Sequence, residues 1–328
     1  MVTHFIYCLL FWTGTVHADD INLRENLFAR VSAQDALLEL AVRVDAKTKI
    51  DRSSNLSLMS PSNVKLPIHF VPASDSSKST LVFVGDCNSN IDTFTKLEEF
   101  FLTLGYGSLR LELRGQGELL SQSQSLEPIL VSSQAQDLNS VLDQLNLDKH
   151  KIAFVGYSYG AAVVLETAAL IHNRDHIKVS SINFINPILL SETSDRSTLE
   201  LFLRLKNISS PQMSHFQTPN DLIRFLQSAS DLNDSSESSI EFKESISILS
   251  LLRGASINLN ELLKSIDSRI NIVDGDQDLT TPQLEKKQNY ALISTTQLGS
   301  FLSLPSIAHR IPEEFSVELS RFLIESDP

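Results

Sequence analysis

The stretch Lys151–Leu165, KIAFVGYSYGAAVVL, decides how this chain reads. It opens on a short apolar run, Ile152 to Val155, of the length expected of a buried strand. It closes on Ala161 and a run of small and apolar residues of helical length. Between the two stands Gly156-Tyr157-Ser158-Tyr159-Gly160. A serine at such a corner sits in a strained turn with its hydroxyl exposed above the edge of the sheet. Gly156 and Gly160 are expected because a Cβ at either place would collide with neighbouring backbone. The helix N-terminus that follows favours negative charge developing beside it. Ser158 is therefore the expected nucleophile.

On either side of this corner the pattern alternates. Ser79–Val84, Leu109 to Leu113, Ile182–Ile185, Ile270–Val273 and 297–302 read as strands. Residues 91–104, 128–145, 161–171, 283–293 and 312–324 carry apolar residues at helical spacing. Strands alternating with helices of this length imply a mostly parallel central sheet with helices on both faces, an α/β fold. The core is expected at 63–190 and 267–328. Residues 191–266 form an insertion, serine-rich and acidic in its middle, with helices expected at 196–206, 220–228 and 238–252. Its place between two strands suggests a separate helical cap. Before the core, 31–45 has amphipathic helical spacing and DRSSNLSLMSPSN (51–63) reads as a loop or linker. Residues 19–62 are taken as an N-terminal extension without chemistry.

A serine nucleophile needs a base, and the base an orienting acid. His150, His172 and His176 fall at the far end of the sheet from Ser158, and His69 lies in an early strand-like stretch. His215 belongs to the insertion and reaches the site only from above. His309 lies between the last strand and the last helix, at the end of the sheet where Ser158 stands, so it is the expected base. The acid is expected in INIVDGDQDLTTP (270–282), where a strand runs into Asp274, Asp276 and Asp278. The two carboxylates not used would be solvated, or would compete and lose.

Over 63–328 these motifs resemble the α/β-hydrolase family. The chain order serine, acid, histidine is similar to that family's. Its acid often stands in G-x-x-D with a proline beyond, which selects Asp278 from Gly275-Asp276-Gln277-Asp278 and Pro282, with Asp274 as runner-up. LRLELRGQGEL (109–119) resembles the family's strand followed by D-x-R-G-x-G, with Glu112 in place of the aspartate. The resemblance implies an oxyanion hole from the backbone N–H of Tyr159 and of Asp86. At the second site the family's His-Gly is Val84-Gly85 in this chain. It further implies ester hydrolysis, or cleavage of an amide, through an acyl-enzyme. A catalytically weak binding protein and an acyltransferase are the alternatives. The expected partner is a small-molecule or lipid-like acyl substrate.

Composition narrows the remaining classes. The 328 residues are 42% hydrophobic and 20% charged, in the range of a globular protein. A net charge of −13, from 27 basic and 40 acidic residues, argues against nucleic acid and anionic lipid as partners. No metal-ligand spacing or P-loop is present, and Arg114-Gly115-Gln116-Gly117 lacks the third glycine of a dinucleotide fingerprint, so no cofactor is expected. Met1–Ala18 reads as a secretory signal peptide. Its apolar run Phe5–Trp12 is too short to span a bilayer, and Val16 and Ala18 suit a cleavage site. The expected location is secreted or periplasmic. Removal of that segment leaves Cys87 as the single thiol and no span of a membrane.

Overall fold

The computed structural model describes residues 54–326, apart from 123–125, 148–150, 173–176, 207–215, 217, 233–235, 279, 282, 295–296 and 310–315. The expectations for Met1–Ala18, for the helix at 31–45 and for His150, His176 and His215 lie outside the described residues. The strands are β1 (Ser54–Met59), β2 (Lys65–Val71), β3 (Thr80–Val84), β4 (Gly107–Leu111), β5 (Lys151–Tyr157), β6 (Lys178–Ile185), β7 (Ile270–Gly275) and β8 (Leu298–Leu304). They form a single sheet in the order β1-β2-β4-β3-β5-β6-β7-β8. β2 runs antiparallel to β1 and β4, and every pairing from β4 to β8 is parallel.

The parallel strands are apolar runs because both faces of the sheet are covered. Alternate residues of β3 point to opposite faces: Leu81 and Phe83 join one buried cluster, Val82 and Val84 the other. The first cluster is closed by α1 (Thr95–Thr103) and α9 (Ser316–Ser326), through Leu97, Phe101, Leu319 and Leu323. The second is closed by α2 (Val131–Gln144) and α3 (Gly160–His172). α3 is apolar all round and buried on almost every side, as a helix between a sheet and other helices must be.

Two expectations need correction. The serine-rich stretch read as a linker holds β1, paired residue for residue with β2 from Ser54↔Phe70 to Met59↔Lys65. Asn63, at φ 62, turns the chain between them. Leu56 and Leu58 alternate with serines there, but two apolar residues on an exposed edge are too weak a pattern to announce a strand.

The insertion does contain helices at the expected places, as α4 (Asp195–Leu205), α5 (Pro219–Leu232) and α6 (Ser236–Arg253), followed by the short α7 (Leu259–Lys264). It is not a separate body. Leu199, Phe202, Leu249 and Leu252 belong to the same buried cluster as Tyr159 and Ala162 of the corner. Polar ties reinforce the join. Ser247 Oγ donates to the Gly115 carbonyl (3.0 Å), and Arg253 Nη1 to the Leu126 carbonyl (2.6 Å).

Candidate active site

The serine corner forms as the motif requires. β5 ends at Tyr157, α3 begins at Gly160, and Ser158 between them has φ +57. A left-handed backbone at a residue with a Cβ costs about 1–3 kcal/mol. Hydrogen bonds offset that cost: Ser158 N–H donates to the Ile185 carbonyl (2.9 Å), and the Ser158 carbonyl accepts from Ile188 (3.0 Å) and Ala161 (3.1 Å). A Cβ on Gly156 would lie 2.7 Å from Ala161 Cα, and one on Gly160 would strike the Val84 carbonyl, so both positions demand glycine. In contrast to the expectation, Ser158 is fully buried. Ile188, Leu189 and Leu190, just after β6, are buried in the cluster that holds Tyr159 and the insertion's leucines, so the end of the sheet is roofed.

Ser158 Oγ lies 2.7 Å from His309 Nε2, and His309 Nδ1 lies 3.1 Å from Asp278 Oδ2. Residues 151 and 31 positions apart thus form one hydrogen-bonded chain. Asp278 is fully buried and its Oδ1 accepts the Thr280 N–H (2.9 Å). Burial alone would raise its carboxyl. The hydrogen bond and charge of His309, the Thr280 N–H and the Lys286 cation outweigh burial and hold it down at about 2.

Asp276 is exposed, as expected of an unused carboxylate, but neither of the other two aspartates is idle. Asp274 is buried, with Oδ1 2.5 Å from Lys286 Nζ. Its carboxyl is pushed up by burial, which Lys286 opposes. Asp276 Oδ1 accepts the Ser306 N–H (2.7 Å) and so ties the acid loop to the loop that leads to His309.

The loop bearing His309 is held from below. Asn186, fully buried at φ +43, donates Nδ2 to the His309 carbonyl (2.6 Å) and accepts the Gly275 N–H (2.7 Å). Tyr157 hydroxyl also donates to the His309 carbonyl (3.1 Å), and its ring stacks on the imidazole at 5.8 Å. Sequence reasoning missed Asn186, Tyr157 and Lys286. Tyr157 stands inside the G-x-S-x-G element and Asn186 directly after a strand end. Lys286 carried no signal, since a lysine four residues past a proline reads as helix surface.

The two backbone N–H groups expected to form an oxyanion hole differ in what they already bind. Among the described residues no backbone carbonyl accepts the Tyr159 N–H. The Asp86 N–H already donates to Ser89 Oγ (2.9 Å). Asp86 Oδ1 accepts from Asn88 N–H within its own loop, so its carboxylate is turned into that loop. Gln116 braces this loop, donating Nε2 to the carbonyls of Gly85 (3.2 Å) and Asp86 (2.8 Å). Glu112, in the place of the family's aspartate, accepts from Ile91 N–H (2.9 Å) and Glu118 N–H (2.7 Å). The tight turn at 114–117 is therefore structural, with Gly115 at φ 84 and Gly117 at φ 48. Among the described residues no group of three or more His, Cys, Asp or Glu could hold a metal, and no helix is long and apolar enough to cross a membrane.

With this geometry in view, solved structures supply a comparison. An esterase from Exiguobacterium antarcticum superposes with a TM-score of 0.58 at 14% identity, over 83% of this chain and 98% of that one. The fold is that of the α/β-hydrolases. An esterase from Pyrococcus furiosus gives 0.53 at 15% identity, over 84% of this chain and 92% of its own. A membrane phospholipase A described as a bacterial virulence factor gives 0.52 at 17% identity and covers 94% of this chain and 99% of its own. No family model matches the sequence, and no curated protein does. At these identities the shared property is the α/β-hydrolase fold.

Proposed function

We propose that this protein is a serine hydrolase that cleaves carboxylic esters through an acyl-enzyme. One observation carries the reading. A serine on strained backbone, with Oγ 2.7 Å from an imidazole, shares a hydrogen-bonded chain with a carboxylate that stays ionised. The roles follow. Ser158 Oγ attacks the ester carbonyl carbon while His309 Nε2 takes its proton. The tetrahedral oxyanion is held by the Tyr159 N–H, aided by the N-terminus of α3. Collapse expels the alcohol, which receives the proton from His309. A water molecule, deprotonated by the same imidazole, then attacks the acyl carbon, and the acid leaves. Asp278 fixes the imidazole tautomer and stabilises the imidazolium.

The esterase neighbours and the apolar helices of 191–266 support a small-molecule or lipid-like acyl ester as substrate. A second reading has its own observation. The Asp86 N–H is engaged by Ser89, so a second oxyanion donor requires that hydroxyl to turn aside, which favours a weak catalyst or a binding protein. A panel of p-nitrophenyl esters and a fluorophosphonate probe separate the two. Hydrolysis and labelling at Ser158, both lost in Ser158→Ala, support the hydrolase. Failure of both in the unaltered protein leaves the binding reading. We further propose that Met1–Ala18 is removed on export. Intact-mass analysis of the protein from culture fluid or periplasm tests it, and a retained Met1 overturns it.

A further inference from the structure

Lys286 stands in the α/β core where the proposed mechanism makes no use of a cation. It belongs to α8 (Gln283–Ser294), and its side chain is 3% exposed. Nζ lies 2.5 Å from Asp274 Oδ1 and 3.4 Å from Asp278 Oδ2, the oxygen that also faces His309 Nδ1 at 3.1 Å. A lysine is buried only where its charge is matched. Here it is shared between two carboxylates, and the nearer is not the one that serves the histidine.

We propose that Lys286 and Asp274 form a charge-balancing pair that positions the Asp278 carboxylate and sets the basicity of His309. The inference rests on the hydrolase reading for its catalytic meaning. The argument is one of competition for a single oxygen. Were Asp274 absent, Lys286 would turn wholly to Asp278 and draw its charge away from the imidazole. Were Lys286 absent, two buried carboxylates would face each other, and their summed negative charge would act on His309. With both present, the cation is held off by its tighter partner, and Asp278 Oδ2 is left to the histidine.

The groups that face this pair come from every neighbouring element. Asp274 ends β7, Asp278 lies in the loop after it, and His309 comes from the loop after β8. Tyr290 lies one turn along α8, where burial and the charges of Asp274 and Asp278 push its hydroxyl up. Glu285 is turned to the Ser191 N–H (3.2 Å), and Arg204 of α4 reaches the Thr280 carbonyl (3.4 Å). Gln283 Nε2 donates to the Asp278 carbonyl (3.0 Å) and fixes the start of α8 against the acid loop. None of these can replace Lys286 between the two carboxylates.

The test is the pH dependence of kcat/KM for a p-nitrophenyl ester, with the His309 Cε1–H resonance followed by NMR in the same variants. In Asp274→Asn the cation is unbalanced, so the acid limb and the imidazole titration both move down by about one pH unit, a tenfold change in the proton equilibrium. In Lys286→Met both move up by a similar amount. The double variant K286M/D274N, which removes the two charges together, returns both toward the unaltered protein. A side chain that merely fills space would lower stability without opposite shifts. Asp274→Asn keeps Lys286 paired with Asp278, so it serves if Lys286→Met does not fold. Folded single variants whose imidazole titration stays in place, or moves in one common direction, overturn the inference. An unaltered protein that is inactive and unlabelled sinks the hydrolase reading instead, and the NMR titration still decides the pair.

Discussion

Two clusters in this molecule are built from the same parts, and in only one of them does a strained serine stand beside the histidine. Each buries a carboxylate against a basic side chain and a histidine. In the first, Glu98 of α1 is paired with Arg110 of β4 at 2.8 Å, accepts the Ser108 hydroxyl, and faces His69 of β2 at 3.5 Å. In the second, Asp278 faces His309 at 3.1 Å and Lys286 at 3.4 Å. The cation sits nearer the carboxylate in the first cluster and the histidine sits nearer in the second. The guanidinium saturates Glu98, and the His69 ring turns its Nδ1 to Asn55 instead (2.7 Å). Lys286 is drawn off by Asp274, which leaves Asp278 for His309. The second cluster also has a strained serine at hydrogen-bonding distance, for which the first has no counterpart on His69. Which partner a buried histidine–carboxylate contact leaves nearest thus depends on what else claims the carboxylate.

The contrast is open to attack, beginning where the effect is greatest. Asp278→Asn should lower kcat by about 10⁴-fold, because the imidazole loses both its tautomer and its counter-charge. Steady-state kinetics on the best ester decides it, and a near-normal rate would remove Asp278 from the site. Arg110→Met should leave kcat per folded molecule intact and cost roughly 3–5 kcal/mol of stability, since Glu98 is left buried without its partner. Denaturant titration measures the loss, and a fall in kcat without one would merge the two clusters into one function. Asn186→Ala should cost about 1–3 kcal/mol and lower kcat as well, because the His309 carbonyl and the Gly275 N–H both lose a partner. A stability loss with kcat unchanged would show that His309 keeps its place without this support.

The pH windows of the two clusters should also differ. Burial, with Arg110, outweighs Glu98 and Asp92 and lowers the His69 imidazole below its ordinary 6.5. The unfolded chain therefore binds the proton more readily. Stability should be complete above pH 6.5 and fall as pH drops through the lower folded value. Asp278, held at about 2 against an ordinary 3.8, contributes stability above 3.8 that is lost between 3.8 and about 2. Melting temperatures across pH 2–8 test both. His69→Gln should flatten the upper window alone and Asp278→Asn the lower alone, and a shared response would break the distinction. Tyr157→Phe carries the smallest effect, about 0.5–1.5 kcal/mol, since the His309 carbonyl keeps its bond from Asn186.

Much of this was legible in one dimension. β5, the serine corner and α3 are contiguous, so strand period, glycine positions and helix period all speak in fifteen residues. The same locality makes β3, β7 and the helices α2 and α8 readable. β1 escaped because an edge strand buries little and so needs little apolar pattern. Lys286 escaped because a buried lysine and a surface lysine are the same letter, and what distinguishes them is a carboxylate partner twelve residues back in the chain, at the end of β7.

Local chemistry in the chain determined that a serine would occupy a strained corner between a parallel strand and a helix, and that a histidine and an acidic loop would follow near the same sheet edge. Glycine sterics and the two backbone periods act between near neighbours, so they are written in the order of residues. Tertiary structure alone decided that the serine is roofed and that three aspartates within five residues divide their partners among Lys286, the Ser306 N–H and His309. Those outcomes depend on competition among groups from distant segments for the same donor or acceptor, and such competition is resolved only when packing sets the distances.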